Sequence, residues 1–481
     1  MTEFWFDPRV AIAAVARRAA ADAYDPEGIR GAVDRAAGLL GWSAPDRGAF
    51  GAAIAPGARV LVKPNMVLHR NEGAGGLVEL VTHPTLIQAA VQSALQAGAA
   101  HVTVGDAPIQ SCDFDALLAA TGLDQWSREL QAREARFHGV RDFRRTIGVL
   151  KHGVRTAAEN LQPKENFVLF DLASQSLLEE ITKGENPFRV TWYDPRLMAK
   201  THHPGRHQYL VARDVMEADV IVNLPKLKTH KKAGVTCALK NLIGINGNKE
   251  YLPHHRVGGA AAGGDCYPGN SRIKGALEFV ADQQNMTTSR LAGEFWHALT
   301  FGLVRLSRLT GDRLGYEGSW SGNDTIWRTC LDLNRILLYG RTDGTLASTP
   351  QRRVIHLVDA VVGGQGEGPL SPIELDLGLV LAAQNAAAMD WVGAQLLGYD
   401  PNRIPLVRKP FGQFHWPLVE FAPADIHVLG DHGEGPAHEV LEYGRRAPAV
   451  IHPIGWRDAA ANPSADPHAP PTASTTLSTE G

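Results

Sequence analysis

Between Arg59 and Asp106 the chain runs "RVLVKPN", then "THPTLIQAAVQSALQAG", then "HVTVGD". Val60–Val62 reads as a short buried strand stopped by Pro64. Pro84 suits the first turn of a helix and Gly98 its stop. Leu86, Ile87, Val91 and Leu95 share one helical face, with Gln88, Gln92 and Gln96 turned away. A second strand then ends at Gly105-Asp106. A strand–helix–strand unit of this kind implies parallel strands and a right-handed crossover. The pattern recurs in "ADVIVNLPK", "RRVIHLVDAVVGGQGEGP", "LGLVLAAQ" followed by a helix to about Leu397, and "DIHVLGDHGEG". The expected fold class is α/β, a doubly wound and mostly parallel sheet with polar and helical insertions and a disordered C-terminal tail.

The 481 residues, 44% hydrophobic and 21% charged, suffice for a large core. Residues 1–50 read as one or two alanine-rich helices outside the sheet. An α/β region spans about 55–445, interrupted by insertions near 110–215 and 255–350. Residues 458–481, rich in Pro, Ala, Ser and Thr, read as the tail. The four cysteines are widely spaced with no CxxC, so a zinc ribbon or iron–sulfur cluster is not expected. The first residues lack a secretory pattern and no apolar run approaches the ~20 residues of a membrane span. A cytoplasmic protein with reduced thiols is expected, and a homodimer suits its size and class.

In open parallel sheets ligands sit beyond the carboxyl ends of the strands. The strand ends here carry Lys63 and Asn65, then Asp106, then Lys226 and Lys228, with His230 after them, and finally Asp359 and Asp431. The stretch "NLPKLKTHKKAGVTCALKNLIG" concentrates lysines in a chain of formal net charge −3. Lys63, Asn65, Lys226, Lys228 and Asn241 are therefore candidate anion-binding residues, helped by a helical turn from Gly234 onward. Lys240 sits among Val235, Ala238, Leu239, Leu242 and Ile243, so it must snorkel, pair with an acid or hold a ligand. Adjacent Lys231 and Lys232 cannot both point inward. His230, Lys240 and His254 are the candidate catalytic residues. Asp106, Asp359 and Glu367, the last in the glycine-rich "DAVVGGQGEGP", are candidate ligands for a divalent metal ion. Asp390, inside a helix, either pairs with a lysine or caps a buried network. His202, His203 and His207 have loop character because Pro204 and Gly205 separate them.

The blocks "VLVKPNMV", "THPTLIQAAVQSALQAGAAHVTVGDAP", "ADVIVNLPKLKTHKKAGVTCALKNLIG", "VDAVVGGQGEGP" and "AAMDWVGAQLLGYDP" resemble, in order, the DUF362 family, a domain family of unknown function. The resemblance covers about residues 55–435 and implies an α/β fold without supplying an activity. Some members carry a ferredoxin-like segment whose cysteines this chain lacks. A fainter likeness is to lactate racemase-like proteins, in which a lysine ten positions after a histidine tethers a nickel cofactor. His230 and Lys240 have that spacing, but Cys237-Ala238-Leu239 replaces the glycines expected before the lysine.

Together these features describe a small-molecule enzyme of isomerase or lyase type. It would act on a carboxylate- or phosphate-bearing substrate by proton transfer, with metal assistance, in isomerisation, epimerisation or elimination. The alternative is a non-catalytic metabolite-binding protein, or a redox or cofactor accessory. The lysine run has no interleaved aromatic platform and the net charge is negative, so nucleic acid is not an expected partner.

Overall fold

The computed structural model describes residues 4–15, 23–151, 154–309, 315–430, 433–436 and 449–461. Asp431 and the tail beyond residue 461 lie outside them. Among the described residues eleven strands form one sheet. In chain order they are β1 (Arg9–Ala14), β2 (Arg59–Pro64), β3 (His101–Asp106), β4 (Phe137–Asp142), β5 (Val220–Leu224), β6 (Lys226–His230), β7 (Gly234–Thr236), β8 (Arg353–Glu367), β9 (Ser371–Ala383), β10 (His427–Gly430) and β11 (Gly433–Pro436). Their spatial order is β11-β10-β1-β9-β8-β5-β2-β3-β4, with β6 beside β8 and β7 beside β6.

The segment from β8 through β5, β2 and β3 to β4 is parallel, in register Asn223–His356, Asn223–Lys63 and Val62–Val104. This carries the carboxyl ends of β2, β3 and β5 to one edge. Both faces are covered, as parallel sheets require. In β2, Val60 and Val62 enter one core and Leu61 the other. The first core is covered by α1 (Pro26–Leu39) and α2 (Pro84–Gln96). Leu86, Ile87 and Val91 of α2 are fully buried, worth about 1.5–3 kcal/mol apiece, so packing outweighs the helix's single side-chain cap from His83. The opposite face receives α3 (Ala238–Asn241), α4 (Ile326–Tyr339) and α5 (Ala386–Leu396).

Four expectations need correction. Arg9–Ala14 is a strand, not a helix, lying between β9 and β10. Its small residues are buried on both sides, Ala11 and Ala13 in one core and Val10 and Ile12 in the other, so burial overrides the helix preference of alanine. The strand "LGLVLAA" belongs to β9, which runs antiparallel to β8 as the second arm of a hairpin. The insertions are also narrower than expected. Phe114–Thr121 and Leu123–Arg133 are helices that lead into β4 of the main sheet. The Ile326–Tyr339 helix is buried almost throughout. The assigned tail likewise begins late, because Trp456 and Ala459 are buried and Asp400 donates its N–H to the Ala459 carbonyl.

Candidate functional site

Pro225 ends the ladder between β5 and β2, and the chain steps sideways to pair with β8 as β6. Lys226, Lys228 and His230 alternate along β6 and so share one face of it. That strand, the ends of β2 and β3, and α3 enclose a cavity of about 320 Å3. Its wall includes Lys63, Asn65, Asp106, Lys228, His230, Lys240, Asn241 and His254. Six lysines line it against three carboxylates.

Two of those carboxylates are already committed. Lys63 Nζ lies 2.7 Å from Asp106 Oδ1, both buried. Asp106 Oδ2 also accepts from the Met66 N–H at 2.7 Å. Burial lowers the Lys63 pKa and raises that of Asp106, each effect opposed by the partner's charge. Glu317 sits 3.6 Å from Lys232 and 3.9 Å from Lys231. Burial brings Lys232 down to about 8 against the pull of Glu317.

Lys228 is fully buried and has only neutral oxygens within reach. Its Nζ donates to Leu80 O at 2.6 Å, Asn65 Oδ1 at 3.1 Å and Pro369 O at 3.4 Å. Its pKa falls well below the ordinary lysine value, through burial first and then the charges of Lys226 and Lys240. Lys240, half-buried in the wall, makes no hydrogen bond or ion pair among the described residues, and burial lowers its pKa too. Asn241 is a tie rather than an open contact. Its Oδ1 accepts from Lys63 Nζ at 3.2 Å and Asn65 Nδ2 at 3.1 Å, while its Nδ2 donates to Asn223 Oδ1 at 2.7 Å.

The two histidines have opposite polarity. Nδ1 of His230 accepts the backbone N–H groups of Lys232 at 3.0 Å and Ala233 at 3.2 Å. Two donors fix a lone pair there, so neutral His230 carries its proton on Nε2. Nδ1 of His254 lies 2.7 Å from the Leu252 carbonyl and must donate to it, which leaves the lone pair on Nε2. Burial, then neighbouring lysine charge, holds both rings neutral, their pKa values well below 6.5. The wall therefore holds an imidazole N–H donor and an imidazole acceptor.

The structure does not bring Asp106, Asp359 and Glu367 together. Asp359 is fully buried away from the cavity. Its Oδ2 lies 2.6 Å from Lys226 Nζ and accepts His83 N–H at 2.9 Å, and its Oδ1 accepts Tyr24 Oη–H at 2.8 Å. Lys226, expected to bind an anion, is spent on this pair. Glu367 lies eight residues further along β8, roughly 25 Å away, and accepts the Ile454 N–H. The glycines before it are not a ligand loop. They continue β8 in register with β9, and a Cβ at Gly364 would come 2.8 Å from Lys228 Cβ. Among the described residues no three His, Cys, Asp or Glu side chains form a metal-ligating group.

Asp390 takes the second of its two expected roles. Its Oδ1 accepts the Leu239 N–H at 3.2 Å at the start of α3, and burial pushes its pKa up to about 7. His202 and His207 face each other across a strand pair, Nδ1 to Nδ1 3.3 Å, with Glu179 3.1 Å from His207 Nε2. His203 stands apart, its Nδ1 near the Pro204 carbonyl. The four cysteines are free and buried. Sequence reasoning missed Thr191, Trp192 and Glu317, which close the cavity from the insertions, and Lys249, which follows α3. Lys231 and Lys232 both line the cavity and reach Glu317, against the expectation that the two neighbours could not both face inward, with Lys231 the more exposed.

The family model for "Domain of unknown function (DUF362)" matches residues 60–162 and 167–395. A thylakoid-associated protein of Synechocystis sp. is 21% identical over 358 residues, covering 74% of this chain and 68% of that one. A crystal structure of a Thermotoga maritima protein aligns with TM-score 0.31 and 12% identity, over 72% of this chain and about half, 53%, of that chain. Among the described residues no helix is long and apolar enough to cross a membrane. With the family match spanning both halves of the parallel sheet and the strands that wall the cavity, this chain belongs to the DUF362 family.

Proposed function

We propose that this protein is a cytoplasmic enzyme that moves a proton on a small carboxylate- or phosphate-bearing substrate, in an isomerisation, epimerisation or elimination. The observation that carries this reading is the pairing of two neutral histidines of opposite hydrogen-bonding polarity in a cavity with twice as many lysines as carboxylates. His254 Nε2 would accept a proton from the carbon next to the acidic group. His230 Nε2–H would donate a hydrogen bond to the oxygen where charge develops. Lys228, with no carboxylate partner, would hold the substrate's anion and stabilise an enolate-like charge. The reading uses no metal held by Asp106 or Asp359, because each carboxylate is committed to a lysine.

The test is hydrogen exchange. Small 2-hydroxy acids, 2-oxo acids and phosphorylated sugars are incubated with the protein in D2O, and loss of the carbon-bound proton signal is followed by NMR. Exchange that disappears in His254→Gln supports the reading. Exchange equal in wild type and variant, or none with any of these acids, overturns it.

A further inference from the structure

Lys240 differs from every other lysine of the cavity. Lys63 is paired with Asp106, Lys228 is held by three oxygens, Lys231 and Lys232 face Glu317, and Lys249 donates to the Thr191 carbonyl at 2.9 Å. Lys240 alone of the six has no hydrogen bond or ion pair among the described residues, yet its side chain forms part of the cavity wall. An ammonium kept for electrostatics alone gains from a carboxylate partner, whereas a nucleophilic amine must have its lone pair free. Its surroundings favour that neutral amine. Burial lowers its proton affinity, and the buried Lys63 and Lys228 lie close enough for its charge to perturb theirs.

We propose that Lys240 forms an imine with the carbonyl carbon of a small 2-oxo acid bound in this cavity. The carbonyl supplies the electrophile, and the acid group matches the excess of lysines. This inference rests on the proposed proton-transfer function and names its substrate class. In the step, Lys240 Nζ bonds to the carbonyl carbon and the C–O bond breaks. The two amine protons leave with that oxygen as water, so no oxidant or reductant is needed. His230 Nε2–H can hydrogen-bond the departing oxygen. Once protonated, the imine withdraws electrons from the neighbouring carbon, and His254 Nε2 is the acceptor for the proton released there.

The experiment treats the full chain with pyruvate, 2-oxobutyrate, glyoxylate or 2-oxoglutarate, then with sodium borohydride, and maps reduced adducts by peptide mass spectrometry. In parallel, the thermal shift caused by lactate, an anion without a carbonyl, is measured. The expected result is an adduct concentrated on Lys240 and lost in Lys240→Arg, a variant whose fold is verified by its unfolding transition. No adduct at Lys240, with the lactate shift retained, overturns the imine and leaves the small-anion reading standing. Absence of both overturns the two together. Adducts spread evenly over exposed lysines, with none enriched at Lys240, also overturn the imine.

Discussion

Asp390 is a buried carboxyl whose proton affinity is set by its place beneath α3, and its pH dependence can be worked out. Burial is the first cause of its shift, and the N–H groups of Leu239 and Ala238 with the Cys237 thiol only partly offset it, leaving the pKa at about 7. In the unfolded chain the same group titrates near 3.9. Below about pH 4 it is protonated in both states and costs nothing. As pH rises from there to about 7, the unfolded state sheds the proton while the folded state keeps it, so stability falls through that window. At ~1.4 kcal/mol for each decade of affinity, the full penalty is about 4 kcal/mol, reached above pH 7. Between pH 5 and pH 8 the change is about 2.5 kcal/mol. Asp390→Asn keeps an oxygen acceptor for Leu239 and removes the titration. Urea unfolding of both proteins at pH 5, 6, 7 and 8 should show wild type losing about 2–3 kcal/mol relative to the variant, mostly before pH 7. A difference that stays constant across this range, or that moves in wild type's favour with rising pH, would refute the argument that burial controls this carboxyl.

The other predictions concern the lysines and their supports. Lys226→Met strands Asp359 in a site with no solvent and should cost about 3–5 kcal/mol in urea unfolding, whereas Lys226→Met with Asp359→Leu should recover most of it. A Cβ at Gly244 would overlap the Asp106 carboxylate and come 2.6 Å from Lys63 Nζ, so Gly244→Ala should abolish lactate-induced thermal stabilisation. By contrast Gly275→Ala, in the first turn of the Arg272–Met286 helix with only the Tyr267 hydroxyl 3.8 Å away, should raise stability by about 0.5 kcal/mol. Lys232 loses its proton as pH rises through about 8, so calorimetric titration should show lactate binding weaker at pH 9 than at pH 7.

The sequence revealed the parallel ladder well because Val60–Val62 precede Lys63-Pro64 in β2, Val220–Val222 precede Asn223 and Pro225 in β5, and Val102 and Val104 precede Asp106 in β3. Direction was harder to read. A fully buried strand such as β9 looks the same either way, and only the short Gly368–Leu370 connection to β8 marks it as a hairpin arm. β1 was hidden by its alanines, whose helix preference says nothing about burial on two sides. In the site, Lys63, Lys228 and His230 were legible from residue type and strand position, Lys240 from its apolar neighbours and His254 from residue type, and the fold gathers them in one wall. Asp359 was misleading for a physical reason. A carboxylate at a strand end serves a ligand or a neighbouring lysine equally well, and the cross-strand pairing of Lys226 with Asp359 decides between them. The Thr191–Trp192 and Glu317 walls come from irregular insertions with no periodicity to read.

The sideways step at Pro225 has a consequence for how such a protein can vary. Because the amines and the imidazole hang from a ladder rather than from a loop, their spacing is locked to the two-residue repeat of the backbone. Dropping a single residue between Leu227 and Thr229 would swing His230 to the hydrophobic side and bring a neighbour round in its place. Lineages descending from this chain can therefore exchange side chains along that edge but cannot change its length by an odd number.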